Sequence, residues 1–184
     1  MSRIGKKPIT LPEKVTISIE GTVVKVKGPK GELSQTIDRD MKVSVDNGIL
    51  LVERPTEQKR HKALHGLYRA LLQNMIVGVT EGYKVNLELV GVGYKATANG
   101  NILELALGYS HPIFFGLPPE IKASAITEKG KNPIVTLESI DKQLIGHIAA
   151  KLKSLRPVEP YKGKGIRFVG EQIRRKAGKT ASKK

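Results

Sequence analysis

Glu57, His61 and His65 fall at i, i+4 and i+8, a spacing that stacks three metal-capable side chains on one face of a helix. The two histidines have the spacing of a zinc-protease helix, but Lys62 stands where the general-base glutamate would be. Lys59, Arg60 and Lys62 surround the trio with positive charge, which disfavours a cation, so it reads as a polar stripe facing solvent or RNA. Gly91-Val92-Gly93-Tyr94-Lys95-Ala96 matches a loose dinucleotide fingerprint, which cradles phosphate only where a strand turns into a helix. Here the chain runs on through Asn99-Gly100 into another strand pattern, so the glycines read as a bulge or a close backbone approach. Gly163-Lys164-Gly165 lacks the upstream glycine and the following Ser/Thr of a Walker loop. The absence of Cys rules out disulfides, thiolate zinc sites, iron–sulfur clusters and a cysteine nucleophile. No Ser/His/Asp order and no spaced carboxylate pair stands out. The residues predict no enzyme, no cofactor, no metal and no small-molecule substrate.

Arg156-Pro157-Val158-Glu159-Pro160-Tyr161-Lys162-Gly163-Lys164-Gly165-Ile166-Arg167-Phe168 is different in kind. Two prolines restrict the chain and two glycines let its backbone approach a neighbour closely. Cations and two aromatics are interleaved, so Lys and Arg heads can reach phosphates while Tyr161 packs or stacks beneath them. A flexible basic loop in solvent would show the same charge, but not the same Pro/Gly punctuation. Farther on, Arg174-Arg175-Lys176 with Lys179, Lys183 and Lys184 form a tail too polar to bury, expected to order only on RNA.

The charge distribution points the same way. The chain has 184 residues and a formal charge of +15. Residues 1–82 carry 14 basic and 9 acidic groups, residues 83–150 carry 6 of each, and residues 151–184 carry 12 basic and 2 acidic. Two thirds of the excess therefore sits at one end, which marks that end as the contact surface for a polyanion. No apolar run approaches the ~18 residues that a membrane span needs, and Met1–Pro8 holds no apolar stretch for a signal peptide. The expectation is a soluble, cytoplasmic protein with no membrane partner.

The elements that must position these residues follow from periodicity. Val15–Ile19, Thr22–Lys27, Glu32–Ile37, Lys42–Val45 and Ile49–Glu53 read as short strands, with Asp46-Asn47-Gly48 as a hairpin turn. Leu64, Leu67, Tyr68, Leu71, Leu72, Met75, Ile76 and Val79 then follow helical spacing, predicting a helix over about 57–78 with Thr56 as N-cap and Glu57 in the first turn. The order repeats. Tyr83–Leu89, Gly91–Ala98, Ile102–Leu107, Ile121–Thr127 and Pro133–Glu138 read as strands, with Asn99-Gly100 and the polar Glu128–Asn132 as turns. Ile140, Leu144, Ile145, Ile148, Leu152 and Leu155 mark a second helix that ends before Pro157. Strands then helix, twice, predict an α+β protein of two tandem similar domains, each an antiparallel sheet covered by one helix. The boundaries expected are 1–82, 83–172 with the basic loop, and a basic tail over 173–184.

Pro160-Tyr161-Lys162-Gly163-Lys164-Gly165-Ile166 resembles the signature of the L-six (universal uL-six) family of large-subunit ribosomal proteins. The resemblance extends to Ser2-Arg3-Ile4-Gly5-Lys6-Lys7-Pro8-Ile9, Leu89-Val90-Gly91-Val92-Gly93-Tyr94-Lys95-Ala96 and Leu107-Gly108-Tyr109-Ser110-His111-Pro112, in the right order and in the bacterial form. Val158 departs from the Pro or Ser usual in the family. The resemblance implies two tandem α+β domains and a non-enzymatic protein. It also implies binding to large-subunit, 23S-type rRNA near the stalk base and the sarcin–ricin loop, beside the docking site of translational GTPases, among neighbouring ribosomal proteins. Carried onto this sequence, the rRNA-contact loop is Tyr161, Lys162, Gly163, Lys164 and Gly165; charge and adjacency add Arg167, Arg174, Arg175 and Lys176. An arm of Arg3, Lys6 and Lys7 could reach RNA or a protein. Two other classes fit the same residues less well: a free-standing regulator that reads RNA shape, and an RNA-processing enzyme built on Glu57, His61 and His65.

Overall fold

The computed structural model describes residues 4–46, 48–128 and 130–178. Arg3, Asn47 of the first hairpin turn, Lys129 of the polar turn, and Lys179, Lys183 and Lys184 of the tail lie outside the described residues. The chain forms two units: Met1–Tyr83 with Ile140–Lys142, and Lys84–Ser139 with Gln143–Lys184.

In the first unit, β2 (Thr16–Glu20), β3 (Val23–Gly28) and β4 (Gly31–Thr36) form an antiparallel meander. A second sheet has the order β1 (Ile9–Thr10), β6 (Ile49–Glu53), β5 (Lys42–Asp46). The helix α1 (Lys59–Thr80) lies against β3, β4 and β6. Alternation in the strands sends Val24, Val26, Leu50 and Val52 inward to meet Leu72, Met75, Ile76 and Val79. Each fully buried Leu or Ile contributes about 1.5–3 kcal/mol, so this shared seam, not helix propensity, holds α1 in place. Leu67 is half exposed, contrary to its assignment to the helix's apolar face. It lies about 200° around the axis from the buried His65. The first turn also differs from expectation. Gln58 is the N-cap and the first turn holds no acid. Thr56 Oγ1 meets His61 Nδ1 at 2.7 Å and accepts the N–H of Gln58 at 3.4 Å, and Glu57 pairs with Arg54, so neither residue caps an N–H inside the helix.

The other end of α1 is closed by the β3–β4 turn. Lys30 N donates to Val79 O at 3.0 Å, and the Lys30 ammonium donates to the carbonyl of Glu81. A cation bonded to the last carbonyls complements the negative end of the helix dipole. Gly28 permits this approach, because a Cβ there would lie 2.7 Å from Val79 Cγ2 and 2.8 Å from Val79 O.

The second unit repeats the plan. Here β8 (Lys95–Asn99), β9 (Ile102–Ala106) and β10 (Ile113–Gly116) form the antiparallel meander. The other sheet has the order β11 (Lys122–Ile126), β12 (Ile134–Ser139), β7 (Tyr83–Val90), β13 (Gly165–Phe168). Leu87, Leu89, Leu103, Leu105, Val135 and Leu137 are buried, as are Ile145, Ile148, Ala149 and Leu152 of α2 (Lys142–Leu155). The duplication reaches the hairpins: Glu20 pairs with Val23 across Gly21-Thr22, and Asn99 with Ile102 across Gly100-Asn101. Both turns open on a glycine of positive φ, 61° and 59°, the left-handed geometry that two-residue hairpins require.

Three strands escaped the periodicity: β1 and β10, which are short, and β13, which lies inside the basic segment read as a loop. Residues 91–94 form a turn before β8 rather than part of a strand. A Cβ on Gly91 would lie 2.6 Å from the Tyr94 ring, so the glycine is there for close packing.

Two glycine substitutions separate packing from backbone effects. Gly28→Ala forces a methyl into Val79 and lowers stability by about 1–3 kcal/mol. Gly21→Asn, where nothing lies within 4 Å of the added Cβ, changes it by less than about 0.5 kcal/mol, since Asn tolerates this φ. Urea unfolding of the two variants beside wild type measures both.

Candidate nucleic-acid interface

The basic loop begins where α2 must stop, because Pro157 has no N–H to continue the helix. Its limbs are then tied by backbone hydrogen bonds. Ile166 N donates to Arg156 O at 2.9 Å, Glu159 N to Lys164 O at 2.8 Å, and Gly163 N to Glu159 O at 3.0 Å. Gly165 sits where the limbs touch, with φ 135°; a Cβ there would be 2.7 Å from Pro157 O and 2.8 Å from Val158 Cα. Beyond Gly165 the chain enters β13, which pairs Gly165 with Val90 and Phe168 with Leu87.

The tail's first part packs against this loop, rather than standing free of it as expected. Lys176 N donates to Pro160 O at 2.9 Å, and the Arg175 guanidinium lies 3.5 Å from where a Cβ on Gly163 would be. Buried Gly163 is thus the floor on which Arg175 rests. Lys162, Lys164, Arg174, Arg175 and Lys176 are all exposed, and Tyr161 is half exposed beside them. Backbone bonds therefore collect five cations from two separated stretches of sequence into one patch.

Arg167 is placed differently. In β13 it is cross-strand from Glu88; its Nε donates to Glu88 Oε2 at 2.9 Å, and its Nη2 lies 2.9 Å from the same oxygen. Asn132 Nδ2 donates to the other oxygen at 2.6 Å. On the far side of the strand, Lys153 pairs with Glu171, whose other oxygen accepts the Phe168 N–H at 3.0 Å. Sequence reasoning did not find Glu88, Asn132 or Glu171. The only signal was the apolar Ile166, Phe168 and Val169 around Arg167 within the charge run.

The histidines form no metal centre. His61 Nε2 lies 3.3 Å from Asp40 Oδ2, beyond its contact with Thr56. His65 Nε2 bonds Val52 O at 2.8 Å, and its Nδ1 meets Arg54 Nη1 at 2.9 Å. Each ring nitrogen already has a partner, both rings are buried, and Glu57 is held by Arg54 and Lys62. They are neither ligands nor an exposed stripe. Among the described residues no group of three or more His, Cys, Asp and Glu could hold a metal ion.

The family model described as Ribosomal protein L6 matches the chain twice, over residues 11–82 and 90–169, one match for each copy of the strand–helix plan. The chain belongs to the ribosomal protein L6 family. It is 72% identical, over the whole of both chains, to large ribosomal subunit protein uL6 of Cytophaga hutchinsonii. It is 66% identical to that of Amoebophilus asiaticus, again over both full lengths, and 57% identical over 183 residues to that of Parabacteroides distasonis. L6 proteins are structural ribosomal proteins and not enzymes. No helix among the described residues is long and apolar enough to cross a membrane.

In this L6 chain the two ion pairs flanking β13 set an acid limit on the interface. Burial pushes the Glu88 carboxyl up, but the hydrogen bonds from Asn132 and Arg167 more than offset it and leave it below the usual range. The Lys153 hydrogen bond, then that of the Phe168 amide, hold Glu171 below it as well. Both groups are depressed in the folded chain, so their stabilisation is complete above the unfolded value of about 4.3 and is lost as pH falls through the lower folded values. Glu88→Gln should therefore flatten the fall in stability below about pH 4.5 while costing about 1 kcal/mol at neutral pH, as read from urea midpoints across pH. Gly165→Ala has no such dependence. The backbone overlap and the left-handed φ together cost roughly 2–4 kcal/mol, visible in thermal unfolding and in faster proteolysis between residues 156 and 165.

Proposed function

We propose that this chain is a structural constituent of the large ribosomal subunit that binds 23S-type rRNA through its basic loop. The interface consists of Tyr161, Lys162, Gly163, Lys164, Gly165, Arg167, Arg174, Arg175 and Lys176, in a C-terminal domain of residues 83–172 followed by a basic tail over 173–184. One observation carries this: five exposed cations from two chain segments are gathered around a buried glycine by backbone hydrogen bonds that need no ligand. The names of the full-length relatives support the subunit. The location near the stalk base and the sarcin–ricin loop, supporting the translation-factor docking region, rests on the resemblance of the sequence to its family.

The residues divide the task. Lys162, Lys164, Arg174, Arg175 and Lys176 neutralise phosphates and release counterions. Gly163 and Gly165 set the loop's shape, and Arg167 secures the strand that carries it through Glu88. A rigid arrangement of cations reads the spacing of phosphates across an RNA surface, which is recognition of shape rather than of base edges. Help to translation is then indirect, by holding a functional RNA element in place among neighbouring ribosomal proteins.

The test is competitive binding of the chain to a large-subunit rRNA fragment spanning the sarcin–ricin region, against unrelated structured RNA of equal length, at ~0.15 M and ~0.5 M salt. The expected result is a preference for the rRNA fragment that survives the higher salt. Lys162→Ala with Lys164→Ala should weaken binding and reduce the salt slope by about one to two units. Equal binding that collapses with salt, or a double variant indistinguishable from wild type in affinity and slope, would overturn the proposal.

A further inference from the structure

Next to the basic loop, the second unit carries an ordered aromatic cluster that phosphate neutralisation leaves unused. The rings of Tyr109 and His111 are stacked, with centroids 6.3 Å apart and planes at 23°. His111 is exposed, and Tyr109 is 43% exposed. Tyr109 is nevertheless fixed: its hydroxyl donates to Leu155 O at 3.0 Å, and the Arg156 guanidinium lies 4.8 Å from its ring centroid. From below, Gly108 brings the chain against the Tyr94 ring, 3.2 Å from where a Cβ would be. Arg156 also belongs to the basic loop, since its carbonyl accepts the Ile166 N–H. Ring pair and cation patch are therefore joined through a single residue.

We propose that Tyr109 and His111 form a stacking platform for an unpaired RNA base next to the phosphate-binding loop, with Arg156 as the positioning residue, an assignment that rests on the proposed rRNA role. Three features favour it. The Tyr109 ring is exposed yet held by Leu155 and Arg156, so little of its conformational freedom remains to be lost when a base lands on it. Every nucleobase has a π-face, so stacking needs no base-edge donors and suits a surface that otherwise reads shape. And a nucleotide whose base rests on the rings brings its flanking phosphates toward the basic loop that Arg156 closes, where Lys162 and Lys164 are exposed.

The platform predicts a preference for RNA with an unpaired base, independent of the salt term. The probes are a hairpin RNA with 2-aminopurine in its loop and a fully paired RNA of equal length. The full chain should bind the looped RNA more tightly and change its 2-aminopurine fluorescence as the base stacks. His111→Ala, an exposed and therefore fold-neutral change, and Tyr109→Leu should each reduce affinity for the looped RNA about tenfold and abolish the fluorescence change. Affinity for the paired RNA and the salt slope should stay unchanged. Tyr109→Phe, which keeps the ring, should retain the fluorescence change. If wild type binds both RNAs but these ring variants keep its preference and fluorescence, the exposed rings serve a protein neighbour or packing and the platform is overturned, while the phosphate loop stands. If wild type binds neither RNA, the rRNA interface fails and the platform with it.

Discussion

The pairing of β13 along β7 is the constraint on which the basic face depends. Without it, residues 156–168 would be a proline- and glycine-punctuated charge run, and a charge run in water spreads its cations apart. With it, the far limb of the loop is fixed at Gly165 opposite Val90, and the near limb is fixed at the end of α2. Nine residues, 156–164, must then turn back on themselves between two anchors. The closing bonds between Arg156 and Ile166 and between Glu159 and Lys164 form because the ends are already in register. Gly165 is the one residue whose side chain cannot exist there, because backbone fills the space from the other limb.

The same pairing sorts the cations. A positively charged surface works on phosphate only if its charges are free, and the interior of this unit neutralises those it cannot leave free. Arg167 of β13 is held by Glu88, and Lys153 of α2 by Glu171. Lys162, Lys164, Arg174, Arg175 and Lys176 stay exposed on the loop and on the segment beside it. Both acids of the last 34 residues, Glu159 and Glu171, therefore have places in the architecture: the first gives its backbone to the loop closure, the second its carboxylate to Lys153 and to the Phe168 amide. Net charge alone does not distinguish the two sets of cations; whether a carboxylate lies within reach of each one does.

Most of the fold was legible in the sequence because its signals are local. Alternation of period two placed most of the strands, glycine turns placed the hairpins, and 3.6 periodicity placed both helices. What could not be read depended on partners distant in sequence. β13 spans four residues of which one is Gly and one Arg, and it exists because β7, about 80 residues earlier, offers an edge. The fixed position of Arg174–Lys176 depends on a single backbone bond to Pro160 and on a floor at Gly163, neither visible in a run of three cations. Thr56, Glu57, His61 and His65 misled in the opposite direction. Their types suggested a cap and a polar or metal-binding stripe, but Asp40 in a turn, Val52 of β6 and Arg54 just after it bond His61, His65 and Glu57 instead.

Comparison of the two copies shows where the candidate interface came from. The order β1-β6-β5 in the first unit corresponds to β7-β12-β11 in the second, and the meanders β2-β3-β4 and β8-β9-β10 correspond as well. In the first unit the strand β1 ends its sheet; in the second the equivalent strand β7 carries β13 on its outer edge. An unpaired sheet edge presents a row of backbone donors and acceptors that must be satisfied or covered. Covering that edge with the chain's own C-terminal segment solves this structural problem. It also delivers a loop and the segment beside it, with Lys162, Lys164, Arg174, Arg175 and Lys176, to a fixed place on one domain. The fold needs only four paired residues there, Gly165 to Phe168. The cations lie in the loop before them and in the segment after them, where β7 places no demand on residue type, so the same edge that required a strand left its flanks open to charge.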